Sequence, residues 1–215
     1  MIAPTYDDVR GALARIAPHV VRTPVLRHPA LDDATGGTIL LKPESLQRTG
    51  SFKFRGATNA TLQLDPAARA RGVVAPSSGN HGQALACAAK SLGIPCTIVM
   101  PADAPRMKIE NTRGWGATII LYDRATEDRM AIAHGVMDRT GATLIPPFEH
   151  RDVIAGQGTL ALELLADAPD LDVLVGHRRR AREAGVNVDE LRALRLGLHR
   201  PAEADRVCLS HVGTH

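Results

Sequence analysis

Two short stretches decide how this chain folds: residues 51–57 (SFKFRGA) and residues 77–82 (SSGNHG). The first stretch places Lys53 between two phenylalanines at the beginning of a helical pattern. The second is a polar, glycine-rich turn between an apolar run, residues 73–76, and an alanine-rich helical pattern. A strand that passes through a short turn into a helix is the repeating unit of α/β proteins, so these stretches predict that fold class.

Lys53 and the glycine-rich turn also indicate a chemistry. A lysine held against apolar groups loses its proton more easily than a lysine in water, and a neutral amine forms a Schiff base with a carbonyl cofactor. A turn that opens a helix presents backbone N–H groups that bind anions. A reactive amine combined with an anion-binding turn therefore predicts pyridoxal-phosphate chemistry on an amino acid.

Helix-like and strand-like segments alternate outward from these stretches, from residue 6 to about residue 175. Helical periodicity predicts helices over residues 6–19, 51–64, 83–92, 105–113, 126–140 and 153–167. Short apolar runs predict strands over residues 38–43, 73–76, 96–100, 118–122 and 172–175. The region over about residues 72–145 has the strand–helix order of a compact doubly wound unit.

Composition narrows the class of protein further. The 215 residues are 44% hydrophobic, which suffices for one ordinary core or two small ones. No uninterrupted apolar stretch reaches the length of about 18 residues that a membrane helix needs. Asp7 and Asp8 stand where a signal peptide has basic residues, and Cys87, Cys96 and Cys208 form no CxxC pair. We therefore expect a soluble, cytoplasmic protein with reduced thiols and no membrane partner.

The alternating pattern ends after Val175. Residues 176–183 (GHRRRARE) form a basic run where a buried strand would need apolar side chains, and residues 190–198 predict one short amphipathic helix. We interpret residues 176–215 as an atypical, solvated basic tail. The arginines lack interleaved aromatic residues, so nucleic-acid binding is not expected.

Three motifs resemble the serine/threonine dehydratase and serine racemase family, which are fold-type II pyridoxal-phosphate enzymes. The motifs are residues 42–53 (KPESLQRTGSFK), 77–84 (SSGNHGQA) and 154–159 (IAGQGT), in the family's order. The resemblance covers about residues 5–175 and implies a tryptophan-synthase-β-like α/β architecture. It implies an intact small domain with a doubly wound parallel sheet and an incomplete large domain. The implied limits are 1–71 and 149–175 for the large domain and 72–148 for the small one.

The resemblance also assigns roles to single residues. Lys53 would form the Schiff base with pyridoxal phosphate and take the substrate Cα proton on one face, and Ser78 would serve the opposite face. Phe52 would pack on the cofactor ring, and Asn80 would hydrogen-bond its 3′-oxygen. The substrate carboxylate would be held by the loop of Ser77, Ser78, Gly79, Asn80 and His81. The histidines show no ligand spacing such as HExxH, so we assign no metal site.

The implied reaction is the elimination of water and then ammonia from L-threonine or L-serine, which gives a 2-oxo acid. The same motifs leave two enzymatic alternatives open, an amino-acid (serine) racemase and a hydroxyaspartate lyase. An alternative of another class is a non-catalytic α/β unit over about residues 72–148, which folds or binds a partner without turnover. The resemblance also allows a homodimer.

Several parts that the resemblance implies are not identifiable in the sequence. They are a glycine loop after residues 172–175 that binds the cofactor phosphate, a later side chain at the pyridine nitrogen, and a divalent-cation site. We interpret the chain as truncated or altered in reading frame after about residue 175, because a one-base shift in suitable codons for residues 177–181 (HRRRA) would restore a glycine run. Loss of the phosphate loop would weaken cofactor binding, make turnover doubtful and leave large-domain strands unpaired.

Overall fold

The computed structural model describes residues 2–175 and 206–211, which form two four-stranded sheets with helices packed against them. The predictions for the basic run 176–183 and for a helix over residues 190–198 lie outside the described residues. The domain limits implied by the family resemblance stay predictions.

The helices are α1 (Tyr6–Ile16), α2 (Pro29–Thr35), α3 (Lys53–Leu62), α4 (Pro66–Arg71), α5 (Asn80–Ser91), α6 (Arg106–Gly114), α7 (Arg129–Thr140) and α8 (Arg151–Asp167), with a 3₁₀ turn at Glu44–Leu46. The strands are β1 (Leu26–Arg27), β2 (Thr38–Pro43), β3 (Val73–Pro76), β4 (Cys96–Pro101), β5 (Thr118–Tyr122), β6 (Thr143–Leu144), β7 (Val173–Val175) and β8 (Arg206–His211). Within the described residues, no helix is long and apolar enough to cross a bilayer.

The small sheet has the strand order β5-β4-β3-β6, and its pairings are parallel. Successive residues of a strand point to opposite faces. Val73 therefore packs in the core with α5 and α6, while Val74 packs against α7 on the other face. Helices cover both faces, which explains why β3 is apolar throughout rather than alternating. The prediction of a doubly wound parallel sheet is confirmed.

The large sheet has the strand order β1-β2-β8-β7. Strand β1 pairs antiparallel with β2, and β8 lies parallel between β2 and β7, with Ile39 opposite Val207 and Leu174 opposite Cys208. The sequence analysis expected the large-domain strands to be unpaired, and that expectation is wrong, because residues 206–211 pair with both β2 and β7. The edges of β2 and β7 carry backbone N–H and C=O groups that need partners, and pairing with β8 supplies them.

Helix α3 joins the two sheets, because it packs on α5 of the small sheet and on α8, which lies against the large sheet. Its residues from Lys53 to Thr61 are all buried, including the polar ones. Two glycines permit the contact between α3 and α8. A Cβ on Gly56 would lie 2.5 Å from the Val153 carbonyl oxygen, and a Cβ on Gly156 would lie 2.6 Å from the Arg55 carbonyl oxygen. The second glycine thus serves helix packing.

Several element boundaries differ from the predicted ones. Helix α5 begins at Asn80 rather than at residue 83, because the turn before it is only three residues long. Helices α2 and α4 have seven and six residues, and strands β1 and β6 have two each. Elements this short do not complete enough periods for a pattern to appear in the sequence, so none of the four was predicted.

Candidate active site

Lys53 is the first residue of α3, and its side chain is only 3% exposed. The amine donates a hydrogen bond to the Pro147 carbonyl oxygen at 2.7 Å. It also lies 5.1 Å from the centre of the half-buried Phe52 ring. The lysine that the sequence singled out is therefore an enclosed amine beside an aromatic ring, and not an exposed helix lysine.

The glycine-rich turn lies between β3 and α5, at the carboxyl end of the small sheet. Ser77 fixes its shape, because its Oγ accepts hydrogen bonds from the Gly82 N–H at 2.9 Å and the Gly79 N–H at 3.4 Å. Gly79 is the residue that precedes the first turn of α5. The N–H groups that open this helix therefore face the sheet edge at which open α/β sheets bind their ligands.

One short segment, residues 145–147, connects the lysine to the turn. The Ile145 carbonyl oxygen lies 2.8 Å from His81 Nε2, and the Pro147 carbonyl oxygen accepts from Lys53. The Ile145 N–H also donates to the Val74 carbonyl oxygen at 2.9 Å, so the segment continues the sheet beyond β6. Carbonyls two residues apart in an extended chain are separated by about 7 Å. The structure thus brings Lys53 and His81 to two neighbouring points of the same segment.

The other predicted site residues lie either next to Lys53 in the chain or in the glycine-rich turn. Phe52 adjoins Lys53, Asn80 is the half-buried first residue of α5, and Ser78 is exposed at the tip of the turn. His81 is buried, with its Nε2 bonded to the backbone, which suits a residue that orients the loop. The individual roles of these residues in cofactor and substrate binding stay predictions.

Sequence reasoning missed a buried charge cluster, formed by Lys42, Glu44, Arg55 and Glu163. Arg55 is fully buried and donates to Glu44 at 2.8 and 2.9 Å and to Glu163 at 2.7 and 2.9 Å. Lys42 Nζ is 3.0 Å from Glu163 and donates to the Thr23 carbonyl oxygen at 2.8 Å. Two cations and two anions make the cluster neutral as a unit, which is how charges tolerate burial.

The buried charge cluster and the lysine share helix α3, since Arg55 follows Lys53 by two residues. Burial alone would lower the pKa of Arg55, but hydrogen bonds and attraction from Glu44 and Glu163 outweigh it and raise that pKa above its usual range. Sequence motifs contained Lys42 and Glu44, yet nothing local indicated a partner such as Glu163, which is 108 residues from Arg55. Only a three-dimensional contact reveals that pairing.

Comparisons with known proteins agree with this geometry. Residues 16–177 match the family model described as pyridoxal-phosphate dependent enzyme. The chain is 53% identical over 174 residues to the L-threo-3-hydroxyaspartate ammonia-lyase of Saccharomyces cerevisiae, and the match covers 81% of this chain and 53% of that protein. Its fold is similar to maize serine racemase, with a TM-score of 0.79, 43% identity, and 81% and 53% of the two chains covered. A threonine deaminase from T.th. gives a TM-score of 0.74 at 42% identity, with 81% and 56% covered.

The chain belongs to the family of pyridoxal-phosphate-dependent enzymes, and its fold is that of the fold-type II members. Within that family its relatives are amino-acid ammonia-lyases and racemases. The family predicted from the three motifs is therefore confirmed. The chain spans about half the length of the curated relatives that it matches.

The described residues fit one end of pyridoxal phosphate. The aldehyde end needs a lysine amine, and Lys53 is a buried amine beside the Phe52 ring. The phosphate end needs N–H groups or cations. In the fold-type II arrangement the loop that binds the phosphate would follow β7. The residues directly after Val175 lie outside the described part of the chain.

Proposed function

We propose that this chain carries the catalytic lysine and the carboxylate loop of an amino-acid ammonia-lyase that uses pyridoxal phosphate. Its substrates are small 3-hydroxy amino acids, L-threonine or L-serine first and 3-hydroxyaspartate as the alternative, and its products are a 2-oxo acid and ammonia. The observation that carries the proposal is the enclosed Lys53 amine, hydrogen-bonded to the segment that also binds His81 of the loop.

The proposed roles come from the family resemblance, and the burial of Lys53 beside Phe52 supports them. Pyridoxal phosphate, when bound, supplies the electron sink that makes the substrate Cα proton acidic. Lys53 takes that proton at Nζ, after its hydrogen bond to the Pro147 carbonyl is given up. Burial of the amine keeps water from competing with the substrate at this position. Phe52 covers one part of the cofactor ring, and Asn80 donates to its 3′-oxygen.

The substrate carboxylate is held by the loop of Ser77, Ser78, Gly79, Asn80 and His81. The first N–H groups of α5 and the positive end of its dipole favour an anion there. Ser77 and His81 hold the loop through their hydrogen bonds to Gly82 and Ile145. These contacts fix the loop backbone before the substrate arrives, which lowers the cost of ordering it on binding.

Racemisation is the second candidate, because Ser78 belongs to the same loop and its hydroxyl is exposed. A proton donor on the face opposite Lys53 would return the proton with inverted configuration. Product analysis separates the two reactions, since Ser78→Ala removes racemisation while leaving 2-oxo acid formation. Loss of both activities in Ser78→Ala would instead assign this serine to substrate binding.

Labelling of the lysine tests the proposal directly. Pyridoxal phosphate is added to the purified chain, the visible absorbance of the bound cofactor is recorded, and the bond is reduced with borohydride. Peptide mapping should find the label on Lys53, and Lys53→Ala should lose both the label and the absorbance. Lys90→Ala is the matched control, because Lys90 is an exposed lysine at the far end of α5. Label scattered over exposed lysines would contradict the proposal and favour a non-catalytic α/β unit.

A further inference from the structure

Lys108 lies beside the glycine at the centre of the carboxylate loop. It belongs to the first turn of α6 and is half-buried. A Cβ built on Gly79 would lie 3.3 Å from Lys108 Nζ, 3.7 Å from its Cδ and 3.9 Å from its Cε. The outer part of the lysine side chain therefore runs along Gly79, and its ammonium group adjoins the loop backbone.

The charge of this ammonium group is not compensated within the described residues. Lys108 forms no side-chain ion pair there, and Glu110, which is on the same helix, pairs with Arg106 at 2.6 Å. A cation in the first turn of a helix is also disfavoured by the helix dipole. The position thus places a positive charge where it is locally unfavourable unless an anion lies next to it.

We propose that Lys108 is a specificity-determining residue that supplies the positive charge for the substrate α-carboxylate. The inference rests on the proposed function, because it deepens the role of the carboxylate loop. The loop gives N–H groups to the carboxylate, and Lys108 adds a full charge beside Gly79. The substrate class that follows is a free amino acid with an ionised carboxylate. Amides, esters and the residues of a peptide are rejected, since they lack that charge.

Gly79 supports the assignment. Its missing side chain leaves the space in which the lysine ammonium approaches the loop, because even a methyl group would lie within 3.3 Å of Nζ. The end of a lysine side chain is flexible, so a larger residue at this position would displace the ammonium rather than unfold the loop. Gly79→Ala should therefore weaken carboxylate binding in the same direction as loss of the charge.

Two stable ligands that cannot turn over provide the test. They are the borohydride-reduced conjugates of pyridoxal phosphate with L-serine and with L-serinamide, which differ only in the carboxylate. Binding to the full chain is measured by the fluorescence of the pyridoxyl group. The wild-type chain should bind the serine conjugate about tenfold more tightly than the serinamide conjugate, the size of one charge-assisted hydrogen bond.

The variants then decide what Lys108 contributes. Lys108→Met should remove this preference, because it weakens binding of the serine conjugate and leaves binding of the serinamide conjugate unchanged. Lys108→Arg should keep most of the preference. Lys90 of α5 lies over the Trp115 ring, and Lys90→Met should show the same preference between the conjugates as the wild type. A wild-type preference in Lys108→Met, or equal weakening of both conjugates, would overturn the inference. Failure of the wild-type chain to bind either conjugate would overturn the proposed function, and the inference with it.

Discussion

The two sides of the candidate site are built differently. The lysine side consists of α3 with the buried charge cluster, where side chains from two other segments, residues 42–44 and α8, bond to Arg55 or to one another. The loop side consists of residues 77–81, where Ser77 and His81 bond mainly to backbone groups and Ser78 is exposed. The difference fits the proposed roles, because a reactive amine needs a fixed position while a substrate loop has to admit and release its ligand.

Removal of Arg55 should lower the stability of the chain more than any other change considered below. Arg55→Met leaves the buried carboxylates of Glu44 and Glu163 without their main partner. We expect the free energy of unfolding to fall by about 3–5 kcal/mol, measured by urea denaturation. The control is Arg151→Met, which removes an exposed pair with Asp8 and should cost about 0–1 kcal/mol. Equal losses in the two variants would mean that the buried charge cluster does not stabilise the lysine side.

A methyl group in the contact between α3 and α8 should have the next largest effect. Gly156→Ala would place its Cβ 2.6 Å from the Arg55 carbonyl oxygen, which is backbone and cannot rotate away. The helices would have to separate, at a cost of about 1–3 kcal/mol. Gly114→Ala is the control, since a Cβ there meets nothing within 4 Å. If Gly156→Ala were as stable as Gly114→Ala, the conclusion that close packing against α8 fixes α3 would be contradicted.

Changes on the loop side should lower the free energy of unfolding by less. Ser77→Ala removes the Oγ that accepts from the Gly82 N–H, a hydrogen bond whose loss should cost about 0.5–1.5 kcal/mol. Ser78→Ala alters an exposed side chain and should change stability by less than about 0.5 kcal/mol. Thermal or urea unfolding of both variants measures the difference. A larger loss in Ser78→Ala than in Ser77→Ala would reverse our assignment of which serine holds the loop.

The smallest effect concerns the surface ion pair between Asp8 of α1 and Arg151 of α8. Hydrogen bonds from the Thr5 backbone and from Arg151 lower the pKa of Asp8 to about 2. Since this pKa is depressed in the folded chain, the stabilisation exists above the ordinary aspartate pKa of 3.8 and is lost as pH falls towards 2. Unfolding measured between pH 5 and about pH 2 should show this loss in the wild type. The loss should be smaller in Asp8→Asn, and identical pH profiles for the two proteins would contradict the assignment.

Local pattern predicted most of the fold because the small sheet is assembled from consecutive segments. Residues 73–76, 96–100 and 118–122 are apolar runs between helical patterns, and all three are strands in the structure. The same reasoning failed for β8, because its place between β2 and β7 depends on pairing with strands far away in the chain. A strand held by distant neighbours leaves little signal in its own residues.

For the candidate site, sequence motifs alone were enough to predict the family, which is confirmed, and to single out Lys53 and the glycine-rich turn as candidates. Each of these lies within a continuous motif, and its chemistry depends on residues next to one another. Three contacts become visible only in the fold: Lys53 and His81 meet at residues 145–147, Arg55 pairs with Glu163, and Lys108 adjoins Gly79. The physical reason is that hydrogen bonds and charge pairs act over a few ångströms in space, and folding brings together groups that are far apart in the chain.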